Sequence, residues 1–313
     1  MSTDFFTSRN APGLYTTKFV PFFSVKRKTM TIGIGAMCEA GRCIALGWDT
    51  RASYPSHHHL SPNDWTSKAY PLPHGCVAAV AGTLHECHEV TLQLACEIGK
   101  LGDEFELDDA RDAINRARYH ERDQIAEDKM LSTFGFSLSQ WQGLKLDASV
   151  YDGGKKIFDR IPVKAEIILA GFKSKNPAAV AEGFTSAILY RAIRKNPIES
   201  ENNYTVIGSG IAQAMRVLDK RGQNIHRSWQ RTAIDVIAAL YAAKAGNRRT
   251  VGNPDDLVLI FQDHYKRFPV QATYVKTLLE RTKKAKISHL YDFDKSDNGV
   301  LNELLYDGPI VTV

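Results

Sequence analysis

Paired cysteines are missing from this chain. Its five cysteines, Cys38, Cys43, Cys76, Cys87 and Cys96, are an odd number and include no Cys-x-x-Cys spacing. That argues against a disulfide framework and for a reducing, cytoplasmic setting. Long apolar runs are missing too: nothing approaches the ~20 residues that a bilayer-spanning helix needs. A repeat array is excluded, because no internal repeat and no low-complexity block occurs. A strong charge of either sign is also absent. The formal net charge is +5 over 313 residues. The local runs Lys26-Arg27-Lys28 and Lys283-Lys284-Ala285-Lys286 read as a solvated basic face rather than a nucleic-acid surface. The His-Glu-x-x-His pattern of a metallopeptidase is not present. His85-Glu86-Cys87-His88-Glu89 stands in its place and reads as a helix start with acids near the positive end of the dipole. His57-His58-His59, in a loop between Pro55 and Pro62, reads as exposed. No metal and no cofactor is expected.

Acid is nearly absent from the first thirty residues, where Asp4 faces five Lys and Arg. This stretch has Pro12-Gly13, Pro21 and scattered aromatics without a period. Phe19-Val20-Pro21-Phe22-Phe23 is too short an apolar core for a signal peptide. Residues 1–30 therefore read as a propeptide, or as the product of a start placed ahead of a true one at Met30.

From Met30 the pattern changes. Thr31–Cys38 and Cys43–Trp48 read as two apolar strands joined by a tight turn at Glu39-Ala40-Gly41-Arg42. Gly33, Gly35 and Gly47 weaken strand propensity but permit another layer to approach closely. Strands are expected at Thr66–Leu72 and Cys76–Ala81, then two helices, one carrying Val90, Leu94 and Ile98 and one over Asp108–Met130. Further strands are expected at Leu146–Tyr151, Glu166–Phe172 and Tyr204–Ile207. Helices follow at Ile211–Asp219 and Ser228–Ala245, then a strand at Asp256–Phe261. Grouped strands and grouped helices point to an α+β layered fold, not a doubly wound parallel sheet. Beyond Asp263 the chain reads as polar and irregular, with one helix at Tyr274–Lys283.

Four features sit at predicted strand ends: Thr31, Asp49-Thr50-Arg51, Lys68 and Ala81-Gly82-Thr83. Strand ends gather residues distant in sequence, and Thr, Asp, Lys and a glycine N–H are the parts of one type of hydrolytic site. The order and spacing resemble a proteasome β-type subunit. Gly41 follows Thr31 by ten residues, Gly82 follows Lys68 by fourteen, and Ala-Gly-Thr closes the strand. Ala170-Gly171-Phe172 resembles the family's central strand, and Val206-Ile207-Gly208-Ser209-Gly210 its Gly-Ser-Gly before a helix. Within the superfamily, Met30-Thr31-Ile32 and Val251-Gly252 are similar to bacterial proteasome-like proteins. The resemblance spans about residues 30–262. In Asn247–Gly252 the sequence departs from the family: no Asp is present, and Val251 stands where a Ser is expected.

The resemblance implies an N-terminal-nucleophile (Ntn) hydrolase fold, a four-layer αββα sandwich of two antiparallel sheets flanked by helix pairs. It implies an N-terminal extension at 1–30, a hydrolase domain at 31–262 and a C-terminal extension at 263–313. Thr31 would be the nucleophile and its own α-amine the base, since such an amine has a pKa near ~8 and is partly neutral at cellular pH. Lys68 would supply positive charge, Asp49 would hold Lys68, the Gly82 N–H would serve the oxyanion, and Ser209 would bond near the amine. Arg51 would support the site. Ala52, Thr66, Val80 and Leu84 would line the substrate pocket, and Ser53 would hold the substrate backbone. The implied substrate is a peptide or protein, and the implied assembly a homo-oligomer such as a ring, with any ATPase partner left open. Two other readings stand beside this one. One is an inert proteasome-like assembly subunit. The other is a nucleotide-binding protein using Gly208-Ser209-Gly210, since Ile207–Ala214 matches a dinucleotide fingerprint with Ala in the last place.

Overall fold

The computed structural model describes residues 32–49, 68–82, 84–102, 105, 107–143, 145–161, 165–172, 187–193, 198–201, 203–246, 255–261, 264–270 and 310–312. The chain opens with a hairpin of β1 (Ile32–Cys38) and β2 (Cys43–Asp49). The turn between them is a short 3-10 segment in which Glu39 and Ala40 take φ of 53° and 55°, and Gly41 takes 81°. There follow β3 (Ala69–Pro71), β4 (Val77–Ala81), α1 (Leu84–Gly99), α2 (Leu107–Phe134), α3 (Leu138–Gly143) and α4 (Ala148–Arg160). The second half holds β5 (Glu166–Phe172), β6 (Ala187–Ala192), β7 (Glu199–Ser200), β8 (Tyr204–Gly208), α5 (Ile211–Arg221) and α6 (Trp229–Gly246). It ends with β9 (Asp255–Phe261), β10 (His264–Val270) and β11 (Ile310–Thr312).

Two antiparallel sheets result. One has six strands in the order β11-β10-β9-β2-β1-β8, and the other has five in the order β3-β4-β5-β6-β7. Alternation along the strands sends side chains to opposite faces. From β1, Ile32, Ile34, Ala36 and Cys38 pack with Ala214 and Leu218 of α5 and Ala233, Val236 and Leu240 of α6. From the opposite faces, Leu46, Trp48, Ile207 and Ile260 of the six-stranded sheet meet Ala79, Ile168, Ala170 and Leu189 of the five-stranded one. The far face of the five-stranded sheet packs Val80, Ile167 and Leu169 against Val90, Leu94, Ile98 and Ile114 of α1 and α2. Covered on both faces, β1 and β2 are buried at every residue, which is why they read as continuous apolar runs. The expected close approach at glycine is real at Gly35, where a Cβ would lie 2.7 Å from Leu189 Cδ1 of the facing sheet.

The segment expected as a strand at Leu146–Tyr151 instead runs into helix α4. Its half-buried and buried positions, Val150, Gly154, Ile157 and Phe158, recur at helical spacing once the window extends past Tyr151. With α3 and the end of α2, this helix forms a satellite core around Met130, Leu138, Trp141 and Ile161. Gly154 admits Trp141: a Cβ there would sit 2.3 Å from its Nε1. The stretch after Asp263, expected to be irregular, contributes β10 and β11 to the edge of the six-stranded sheet. The helix expected at 274–283 lies outside the described residues, as do residues 1–30.

Candidate active site

The strand ends converge on one edge of the paired sheets. Register sets Ile32, at the start of β1, opposite Gly208, at the end of β8, and Ala81, at the end of β4, opposite Glu166, at the start of β5. Asp49 ends β2 and Lys68 immediately precedes β3. The carboxylate of Asp49 is the hub: its Oδ1 accepts a hydrogen bond from the Ile32 backbone N–H at 3.0 Å and another from Lys68 Nζ at 2.8 Å. Asp49 is fully buried and Lys68 is 7% exposed. A buried pair of this kind must be matched in geometry, because removing one partner strands the other charge away from water.

On the other sheet edge, Glu166 Oε2 accepts from the Gly208 N–H at 2.7 Å. Gly208 takes φ 91°, a conformation that favours glycine. Ser209 Oγ is buried and has no hydrogen-bond partner among the described residues. Gly210 fits a narrow space, since a Cβ on it would lie 2.6 Å from Ala243 Cβ and 2.9 Å from Ile32 Cδ1. Both glycines of Gly208-Ser209-Gly210 thus have steric reasons that involve no phosphate. The dinucleotide reading needs a parallel βαβ unit, and β8 pairs antiparallel with β1.

Gly82 follows β4 at φ 155°, half-buried. Val80 is 2% exposed on the helix side of β4, in one cluster with Cys87 and Val90 of α1. Leu84 is the first residue of α1, and its side chain is not among those described. Thr31, Arg51, Ala52, Ser53, Thr66 and His57-His58-His59 lie outside the described residues, as does Asn247–Gly252. Sequence reasoning passed over Glu166 as a site residue. The available signal was a carboxylate heading a strand whose other six residues are apolar or glycine, Ile167–Phe172.

The thiols make poor competitors for the role of nucleophile. Burial pushes Cys76 up to about 12. Burial, with help from the nearby charge of Glu86 and against that of Lys68, pushes Cys87 up to about 12, and burial raises Cys43 as well. At neutral pH these three stay protonated, and the thiol is not the reactive form. All five cysteines are free. Among the described residues no group of three or more His, Cys, Asp or Glu is placed to hold a metal ion, and no helix is long and apolar enough to cross a membrane.

This architecture is found among solved structures. The chain is similar in fold to Anbu proteins. Anbu from Hyphomicrobium sp. strain MC1 matches with a TM-score of 0.51 and 14% identity, over 84% of this chain and 100% of its own. A mutant of that protein gives 0.51 and 13%, over 84% and 99%. Anbu from Yersinia bercovieri, described as an ancestral beta-subunit, gives 0.55 and 11%, over 82% and 95%. No family model matches the chain, and no curated protein does. These neighbours correct the sequence-based assignment to a proteasome β-type subunit: the likeness is to Anbu, proteasome-like but distinct. The quoted motifs misled because they are few and local. A Thr, an Asp–Lys pair and a glycine at strand ends serve any site of this design, whichever related family carries it.

Proposed function

We propose that the chain is a threonine-type N-terminal-nucleophile hydrolase of Anbu-like fold, cleaving amide bonds in peptides or proteins. One observation carries this reading. Asp49 Oδ1 joins Lys68 Nζ to the Ile32 N–H, and Thr31 is one peptide bond, about 3.8 Å from Cα to Cα, ahead of Ile32. This supports a buried cation close to the residue that would carry the nucleophile. The alternation of three apolar clusters with two sheets supports a four-layer αββα sandwich of the Ntn type. Residues 31–262 form the hydrolase domain in this reading, and residues 1–30 are absent from the mature form. Thr31 becomes N-terminal by cleavage after Met30, or by translation from Met30 and removal of that Met.

The chemistry is then coherent. The neutral α-amine of Thr31 takes the proton of its own hydroxyl, through a water, as the alkoxide attacks the scissile carbonyl. Lys68 stabilises the alkoxide and disfavours protonation of the amine. Asp49 fixes the Lys68 ammonium and the first peptide of β1. The Gly82 N–H meets the oxyanion, a contact worth about 3–4 kcal/mol in comparable sites. Ser209 bonds near the amine. Arg51 supports Asp49. By resemblance, Ala52, Thr66, Val80 and Leu84 line the pocket beside the scissile bond, which takes a neutral hydrophobic side chain, and Ser53 helps hold the substrate backbone. The five free thiols fit a cytoplasmic setting, and the fold likeness to Anbu supports a homo-oligomer, a ring by analogy.

A fluorogenic peptide panel on the mature protein tests the reading, with Thr31→Ala as the blank. Hydrolysis after hydrophobic residues that vanishes in the blank is expected. Equal rates for the two proteins would move the chain to the inert assembly subunit, a reading favoured by the lack of an Asp in Asn247–Gly252. Cleavage after Arg or Lys would leave the nucleophile standing and overturn the pocket.

A further inference from the structure

We propose that Glu166 is a positioning residue, the carboxylate that locks the Gly208-Ser209 turn in place for the site; this rests on the hydrolase reading above. Glu166 belongs to the five-stranded sheet, and the N–H it accepts from belongs to the six-stranded one, 2.7 Å away. Its strand neighbour in register is Ala81, which leads into Gly82. Its hydrogen-bond partner Gly208 is in register with Ile32, which leads back to Thr31. One side chain thus ties β5 to β8, the strands paired with the two segments that would carry the oxyanion donor and the nucleophile.

The turn it holds is otherwise tied down by the β1–β8 ladder at Gly208 and by the packing of Gly210. Gly208 is at φ 91°, where glycine is free to move between conformations. Ser209 Oγ is buried without a partner among the described residues, so it is held in place by the backbone rather than by a bond of its own. Gly210 is wedged against Ala243 and Ile32, so the turn pivots between a packed end and the Glu166 hydrogen bond. Releasing that bond would let Gly208 relax and move the Ser209 hydroxyl. A displacement near 1 Å is enough to slow a positioned reaction by about a hundredfold. The decisive property is the acceptor atom at the right reach, so an uncharged amide oxygen in the same place should serve.

The test uses the full chain and an acylating β-lactone, with labelling followed by intact mass and Thr31→Ala as the blank. Glu166→Ala and Glu166→Asp should slow labelling by about 10- to 100-fold, whereas Glu166→Gln should stay within about threefold of the unmutated rate. Glu166→Asp keeps the charge and loses the reach, and it reads the effect even if Glu166→Ala fails to fold. In a Ser209→Ala background, Glu166→Ala should add little, because two residues acting as one unit are not additive. Unmutated rates in Glu166→Ala and Glu166→Asp would overturn the inference. So would a Glu166→Gln variant as slow as Glu166→Ala, or full additivity with Ser209→Ala. No labelling of the unmutated chain would overturn the hydrolase reading itself and take this inference with it.

Discussion

The two ends of the β1–β2 hairpin solve the same problem in opposite ways. At the turn end, three backbone N–H groups donate to backbone carbonyls. Glu39 N–H donates to Arg227 O at 2.8 Å, Ala40 N–H to Ile225 O at 2.7 Å and Met37 N–H to Asn203 O at 2.8 Å. Gln223 Nε2 donates to Met37 O at 3.0 Å, and Glu39 Oε1 accepts from the first N–H of α6, on Trp229. At the open end, a fully buried Asp49 carries the Lys68 ammonium and one backbone N–H, and the Ser209 hydroxyl is buried without a partner among the described residues. A fold seeking stability alone has no need of the second arrangement, since a buried ion pair is often no better than apolar packing. In the proposed hydrolase, the contrast separates an end that closes the sheet from an end that would hold the chemistry.

Breaking the ion pair should produce the largest effect. Lys68→Ala leaves Asp49 buried without its cation, so stability should fall by about 3–5 kcal/mol and turnover by about a hundredfold or more; denaturant titration and peptide hydrolysis read the two separately. Asp49→Asn preserves a side-chain oxygen for the Ile32 N–H and strands Lys68 instead. It should cost similar or slightly less in both measurements. At the opposite end the two readouts should part. Gln223→Ala removes a 5% exposed amide that donates to Met37 O and accepts from Thr232 Oγ1 at 3.2 Å. Stability should drop by about 1–3 kcal/mol with turnover unchanged.

The smallest effect is a pH-dependent one on α1. Lys100 and Arg116 hold the Glu97 carboxyl below its usual range. A lowered folded pKa means that the carboxylate favours folding at pH above the unfolded value, near ~4.3, and that this contribution disappears as pH falls through the lowered folded value. Both cations are largely exposed, so the effect is small. Glu97→Gln should lower the melting temperature slightly at pH 7, and the difference should close in acid.

Legibility in the sequence followed the same division. The hairpin, β4, β5 and β8 could be read because burial on both faces writes an unbroken apolar run. β10 could not: His264–Val270 mixes charge with Pro269, and among the described residues the β11 side of the ladder covers His264–Lys266 and not the proline. α4 was hidden because its apolar positions are few and its Gly153-Gly154 pair reads as a break. The Asp49–Lys68 pair was legible from Asp49-Thr50-Arg51 after the second strand and from the fourteen-residue spacing of Lys68 to Gly82. Glu166 was not, since its partner is a backbone N–H, 42 residues away, that no side-chain motif marks. The choice between related families was invisible as well, because the motif residues are those that the site design itself requires.

The most direct test of the account is an intact-mass measurement of the protein while it is hydrolysing peptide. The account predicts that the active species begins at Thr31, and that Thr31→Ala of the same length is silent. Hydrolysis dependent on Thr31 by a chain that retains residues 1–30 would contradict it, because an amide nitrogen cannot act as the base.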